Sequence, residues 1–437
     1  ARHLDRTNPL ASGMLDRCVE NVIGKGMMLQ ARTTDNAFNN QVEALWRDEC
    51  DSLDIRGLAS FGQLQQLLYR GKLRDGDIGA VLVSQSGQPA LQPIEGDWID
   101  SWTKALLDTP EFVHGIELDA NQRPTAFHVR SLGEGGKPLE SIVPARNFVY
   151  MPRLKNFADI RGEPCFAQVF PLFDQIDGYI EATVVAARMA ACFGVIVTRA
   201  DAAKSFGSLP TQLGPNNTNE RIANIEPGMV QYLNPGDDIR QISPLQPTQN
   251  FPDFIAALLR FCGLNLGLPL ELVMLDFSRT NYSSARAALQ QAYRTFRTQQ
   301  QEFVNQFLAR IYPWWLSKMV KLGRIKVPAS IASDYWRHEW IAPGWAWIDP
   351  VKEIQAAMME VDAGLSTRTS IAASHGRDFA NIVAERVREM KALKDAGIEP
   401  SKSTNTRDPL ADALVANGNM AKPMAIKPGG AADDGDG

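Results

Sequence analysis

The sequence predicts an α+β protein whose helices and strands fall in separate parts of the chain, and three observations carry this. Apolar residues recur at three- and four-residue steps through the first 70 positions. From Ile78 the texture changes to alternating and β-branched runs broken by Gly, Pro and Asn-Gln turns. Finally, one sustained helical pattern runs from Ser283 to Lys321. With 437 residues, 44% of them hydrophobic, the chain can bury at least one large core and divide into roughly two to four sub-domains.

The elements follow in order. Asn8 is placed as a cap with Pro9 at the first helical position. Leu10, Met14, Val19, Val22 and Ile23 then supply apolar positions until Gly24 and Gly26 stop the helix. A second helix is expected over 37–50, with Val42, Leu45 and Trp46 on one side. A third is expected over 60–70, with Phe61, Leu64, Leu67 and Leu68 on one face. A strand-rich unit of about 75 residues follows, with runs at 79–84, 115–118, 125–129 and 148–151.

Pro164 and Pro171 flank the start of a helix over 172–193, with Asp174 and Asp177 in its first turns, where negative charge suits the helix dipole. A short strand (195–198), a Gly/Pro/Asn/Ser-rich loop (205–219) and the stretch EPGMVQYLNPGDDI, read as two short strands, make a small α/β insertion over 195–245. The next helix covers 253–266, ended by Gly263 and Gly267. A turn-rich link over 275–282 leads into the long helix. There Ala285, Leu289, Ala292, Phe296, Phe303, Phe307, Ile311, Trp315 and Met319 repeat along about 55 Å, and Pro313 is expected to kink it. Residues 336–347 read as an aromatic-rich hinge. Helices over 351–363 and 378–396 follow, then a polar tail with the composition of a disordered segment.

Charge and composition exclude several classes. A net charge of −5 argues against a protein that grips duplex DNA by broad phosphate neutralisation, yet leaves room for one past which DNA slides. The long helix is the exception. Between 283 and 322 it carries six basic residues (Arg286, Arg294, Arg297, Arg310, Lys318, Lys321) against Glu302. This basic face suits an acidic neighbouring subunit ahead of DNA. The five cysteines (Cys18, Cys50, Cys165, Cys192, Cys262) show no C-x-x-C spacing and read as reduced core residues of a cytosolic protein. The chain opens at Ala1 without a charged-then-apolar leader, so no signal peptide is expected. The apolar stretch 180–197 contains Glu181 and Arg188 and reads as a helix, either small-residue-rich and packed between like helices or an ordinary buried core helix, not as a membrane span.

Catalytic signatures are missing. No phosphate-binding Gly-x-x-x-x-Gly-Lys-Ser/Thr loop, no Gly-x-Ser-x-Gly elbow and no His-Glu-x-x-His motif occurs. The five histidines lie far apart, and His338-Glu339, beside Trp336 and Trp340, reads as packing in preference to a metal site. Asp237-Asp238, after a Pro-Gly pair, reads as a solvated turn. No metal, cofactor or enzymatic activity is expected.

Five ordered segments carry a resemblance: NVIGKG at 21–26, RGEPCFAQVFPLFDQIDGYIEA at 161–182, EPGMVQYLNPGDDI at 226–239, LLRFCGLNLGLPLELV with DFSRTNYSSARAAL at 258–289, and GWAWIDPVKEIQAAMMEVDAGLSTRT at 344–369. In sequence and order they resemble the lambda-like family of tailed-bacteriophage portal proteins, over roughly residues 1–396. The resemblance implies the ring-forming portal fold: a mixed α/β wing (1–163), a first stem helix (164–194), a small α/β clip (195–247) and a second stem helix (248–274). It continues with a channel loop (275–282), a long wing helix and aromatic hinge (283–345), C-terminal wing and crown helices (346–398) and a disordered tail (399–437).

The resemblance also implies a function and partners. The chain would form a dodecameric ring at a capsid vertex, assembled in the host cytoplasm and carried in the virion, through which double-stranded DNA is packaged and ejected. It would dock the terminase large subunit, then the head-completion and connector proteins, and contact the major capsid or scaffold protein, with no membrane. Asp276, Ser278, Arg279, Thr280, Asn281 and Tyr282 are the expected DNA-facing loop, sparsely charged so that DNA slides, with Asp276 opposing the one cation. Arg199, Lys204, Arg221, Asp237 and Asp238 are expected on the motor-facing clip. Ala186, Ala190, Phe254 and Leu258 are expected in the packing of stem helices and subunits, where small residues (Ala182, Ala187 and Ala191 among them) allow close approach. The alternative reading is a nucleic-acid-processing enzyme, a nuclease or ATPase, of the same packaging apparatus.

Overall fold

The computed structural model describes residues 1–85, 87–100, 111–132, 138–192, 196–199, 212–213, 219–220, 237–240, 251–278, 280–345 and 350–395. The chain forms two compact units, residues 1–378 and 379–437. In the first, α1 (Arg2–Thr7), which the sequence pattern did not signal, precedes α2 (Pro9–Val22). The Asn8 side chain caps α2 by accepting from the backbone N–H groups of Leu10 and Ala11, as the Asn-Pro pair predicts. Strand β1 (Met28–Ala31) leads to α3 (Asn36–Glu49), capped by Asp35, and to α4 (Phe61–Asp75). Ser60 and Gln63 close a reciprocal capping box at the start of α4. This helix runs five residues past the expected end, and it leaves Leu67 exposed while burying Phe61, Leu64 and Leu68.

Two antiparallel sheets make the strand-rich part. Strands β2 (Asp77–Gln85) and β3 (Gln88–Glu95) form a hairpin, and β8 (Phe148–Pro152) adds to the other edge of β2. The second sheet orders β4 (Phe112–Val113), β5 (Ile116–Leu118), β6 (Pro124–Leu132) and β7 (Pro138–Pro144) consecutively. Phe127 of β6 stacks on Phe148 of β8 with ring centroids 4.3 Å apart, joining the sheets over a small core with Ile94, Ile99 and Ile116.

Helix α5 (Phe170–Cys192) then leaves the body. Because it begins at Phe170, two residues before the expected start, Asp174 and Asp177 fall just past its first turn, and Asp177 accepts from the Asn8 side chain at 3.0 Å. Short strands β9 (Ile196–Arg199), β10 (Gln212–Leu213), β11 (Asn219–Glu220) and β12 (Asp237–Arg240) pair as β9 with β12 and β10 with β11. Asp237 and Asp238 are therefore strand residues, not a turn, and the register sets Asp237 across from Arg199.

Helix α6 (Phe251–Leu264) returns to the body. Gly263 lies inside it and does not end it: a Cβ there would sit 2.4 Å from the Leu268 carbonyl, so glycine permits this close approach. The chain turns at Gly267, whose φ is +68°, into the five-residue α7 (Leu270–Met274).

The long helix is α8 (Tyr282–Phe303), a π turn (Val304–Leu308) and α9 (Ala309–Lys321). Its irregularity lies ahead of Pro313, ending beside Ala309, whose carbonyl Pro313 cannot bond. The wider turn has a second effect. Phe303, Phe307, Ile311, Trp315 and Met319 follow a strict four-residue step that would drift about 40° per step around an ideal helix. Under-winding absorbs part of that drift, and all five are fully buried. They join α2 and α4 in the main core, where Trp46 meets Trp315 edge-on at 4.9 Å.

The expected aromatic hinge is instead strand β13 (His338–Ile341), antiparallel to β1. His338 packs on the Tyr312 ring at 4.5 Å, burial lowers its pKa, and Glu339 pairs with Arg32 at 2.9 Å. Helices α10 (Pro350–Asp362) and α11 (Arg368–Ser374) complete this unit. In the second unit, α12 (Phe379–Asp395) is described and the polar tail lies outside the described residues. No helix among the described residues is long and apolar enough to cross a membrane. Cys18, Cys165 and Cys262 are buried, and burial pushes the Cys165 thiol up to about 12 and that of Cys262 to about 11, which disfavours the reactive thiolate. The side chain of Cys192 lies outside the described residues.

Candidate functional site

The candidate site is the helix pair α5/α6 with the link that follows it. The first two turns of α5 belong to the core, where Phe173 and Ile176 are fully buried. At Tyr179 the pair leaves it: the Tyr179 ring stacks on Phe251 at 5.5 Å and meets Phe254 edge-on at 4.9 Å. At the other end of α6, the Asn265 side chain donates to the Cys165 carbonyl, just before α5, at 2.7 Å. The start of α6 thus lies beside the middle of α5 and its end beside the start of α5, so the two helices run antiparallel and do not diverge.

Along its length the pair keeps an apolar surface in solvent. Ile180, Val184 and Val185 on α5 and Phe254, Phe261 and Leu264 on α6 are all exposed. Of the residues predicted to pack there, Ala186 and Leu258 are half-buried, Phe254 is 48% exposed, and Ala190 is described only as part of α5. Sequence reading singled out the small residues and passed over Ile180, Val184 and Val185. An apolar residue in a helix signals burial without saying whether the partner is in the same chain.

The link is closed by its own hydrogen bonds. Leu275 ends α7 in the left-handed region at φ +53°, a strained conformation for a side chain of its size. The Asp276 carboxylate accepts from the Ser278 backbone at 2.9 Å, and the Thr280 hydroxyl donates to the Phe277 carbonyl at 3.2 Å. Asn281 caps α8 by accepting from Ser284 N–H at 2.8 Å. Asp276 and Asn281 are thereby occupied in shaping the loop, while Ser278 is exposed and Thr280 half-buried. Tyr282 is the first residue of α8. Arg279, Lys204 and Arg221 lie outside the described residues, and Arg199, Asp237 and Asp238 are described only as strand backbone. The exposed residues that the reading of a polar loop missed are apolar: Met274, Leu275 and Phe277.

The basic helix is less available than its composition suggests. Arg286 lies 3.9 Å from Glu353 of α10, Arg297 sits over the Trp345 ring at 5.6 Å, and Arg310 donates to the Ala145 carbonyl at 3.1 Å. Glu302 is engaged by the buried Lys72 at 2.6 Å. Half of the six cations are thus held within the subunit. Among the described residues, no group of three His, Cys, Asp or Glu side chains is arranged to hold a metal ion.

The family model for phage portal proteins of the lambda family matches residues 1–300. Portal protein B of Escherichia phage lambda is 29% identical over 179 residues, 39% of this chain and 33% of that protein. The aligned residues thus span about a third of that relative's length. The probable portal protein of Halomonas phage phiHAP-1 is 22% identical over 376 residues, 84% of this chain and 71% of that one. A chain in the neck of an empty gene transfer agent particle, computed with C6 symmetry, shares the fold with TM-score 0.54 at 15% identity, covering 86% of this chain and 92% of that one. With the family model matched over more than half its length, this chain belongs to the lambda family of phage portal proteins.

Proposed function

We propose that the chain is one subunit of a closed ring at a virion's portal vertex, through which double-stranded DNA is packaged and later ejected. The observation that carries this is the antiparallel α5/α6 pair with large apolar side chains left in solvent. A subunit that lived alone would bury them, whereas a ring closes by packing two different faces of the same chain against each other. Family membership favours this structural role over a packaging nuclease or ATPase.

In this reading α5 and α6 form the stem, and the segment 195–247 between them is the clip. The clip meets the terminase large subunit during packaging and the connector proteins afterwards. The link 275–282 faces the DNA. Its sequence holds one cation, Arg279, and its exposed residues include Leu275, Asp276, Phe277, Ser278 and Asn281, a sparsely charged set that suits passage over capture: each neutralised phosphate would steepen the salt dependence of binding by a log–log slope of about 0.9. Electron microscopy of the purified protein tests the proposal. End-on rings with an open central hole are expected; a protein that stays monomeric at high concentration overturns it.

A further inference from the structure

The β8–α5 connection carries the most exposed large apolar side chain among the described residues, Phe157, at 109% of its reference exposure, with Leu154 nearby in the loop at 49%. Its loop is held in shape. The Asp159 carboxylate accepts from Lys155 N–H at 3.0 Å, from Asn156 N–H at 2.8 Å and from the Asn156 side-chain amide at 3.3 Å. Lys155 pairs with Glu163 across the base at 2.8 Å. The base is fixed again by Arg161, which donates to the Asp77 carboxylate and to the carbonyls of Gly96, Ile99 and His114, tying the loop to both sheets. An aromatic ring on a braced loop has little conformational freedom to lose on docking, which is how aromatic anchors at protein interfaces work.

We propose that Phe157 is an anchor of the contact between adjacent copies of this chain, inserting into the apolar surface of the next subunit. This rests on the ring reading above. The partner is a second copy because the knob's loop is tied at its base to the helix pair that carries that surface. Arg153, at the loop's base, donates to the Asn265 carbonyl at 3.4 Å, and Asn265 adjoins the exposed Leu264 at the end of α6. The base of the knob's loop is therefore tied to the end of α6. A heterologous interface needs two unlike patches on one chain, here a single protruding ring and a broad apolar helix surface.

The test is Phe157→Ser in the full chain, a change outside the packed interior, with assembly followed by analytical ultracentrifugation over a concentration series. Loss of one buried aromatic contact per interface raises the concentration for half-assembly by roughly tenfold or more, with an unchanged circular dichroism spectrum. Assembly of the variant at the wild-type concentration overturns the anchor and leaves the ring reading standing; a wild-type protein that never assembles overturns both. In parallel, a benzophenone amino acid at position 157, irradiated in assembled rings, is expected to give covalent dimers of this chain. Products within one chain only, or with a different virion protein when whole particles are irradiated, overturn the second copy as occupant.

Discussion

The Arg161 guanidinium grips the Asp77 carboxylate with two parallel hydrogen bonds, Nε to Oδ2 at 2.5 Å and Nη2 to Oδ1 at 3.1 Å. Asp77 also accepts from the Tyr150 hydroxyl at 2.8 Å, and its side chain is 2% exposed. One residue on the connection before α5 thus closes β2, β8 and the second sheet around a single buried charge. Removing the cation strands that charge, a defect that costs about 3–5 kcal/mol in buried pairs. Arg161→Met is expected to lower the chemical-denaturation midpoint accordingly. A loss below about 1 kcal/mol would mean that the pair is hydrated and the junction held by packing.

Asp75 predicts how acid weakens the N-terminal region. Burial pushes its carboxyl pKa up, but hydrogen bonds from Arg74 and Arg2, at 2.8 Å each, outweigh this and hold it below the ordinary 3.8. A carboxyl with a lowered folded-state pKa contributes stability that is fully present above the unfolded value. The contribution fades as pH falls through 3.8 toward the folded value. Asp75→Asn is therefore expected to destabilise the protein near neutrality and to flatten the acid limb of its stability–pH curve below about pH 4. A parallel displacement of the whole curve would assign the loss to packing.

Gly263 offers a test of packing against propensity. Alanine is the better helix former by about 1 kcal/mol, yet its Cβ would lie 2.4 Å from the Leu268 carbonyl. The clash is with backbone in the turn that ends α6, so it cannot be relieved by a side-chain rotation. Gly263→Ala is expected to destabilise by about 1–3 kcal/mol, measured by thermal unfolding. A gain in stability would show that the turn yields.

The channel and clip assignments are tested by function. Arg279→Ala is expected to leave rings intact while altering DNA packaging or retention in a complementation assay; unchanged packaging and retention would count against a DNA-facing role. Deleting residues 204–221 is expected to spare ring formation and impair docking of the packaging motor. Full docking by the shortened chain would move the motor contact elsewhere.

Local chemistry explains which elements were legible in advance. Asn8-Pro9 announces a helix start because the groups that satisfy the first free N–H donors are sequence neighbours. The helices over 170–192 and 251–264 were readable for a similar reason, since their apolar composition and flanking Pro and Gly residues are local. Strand β13 was not. His338–Ile341 is strand because it pairs with Met28–Ala31, and no window around Trp336–Trp347 contains that partner. Gly263 misled because glycine near a helix end resembles a stop, whereas its role is set by the Leu268 carbonyl after the turn. The link over 275–282 was legible only in part: Asp276, Ser278 and Asn281 are exposed, but Asp276 and Asn281 are also spent on its own backbone, and Leu275 and Phe277 add an apolar surface that the polar pattern did not announce.

By itself the sequence determined the α+β class, the placement of the main helices and the family, because periodicity, caps and ordered motifs are written in neighbouring residues. Tertiary structure decided which apolar residues remain outside. Phe173 and Ile176 on α5 differ little in kind from Phe157, Ile180 or Phe261, yet the first two join the main core while the other three meet solvent. Burial is a property of what arrives from elsewhere in the chain, and only folding brings those partners together or leaves a face open for another subunit.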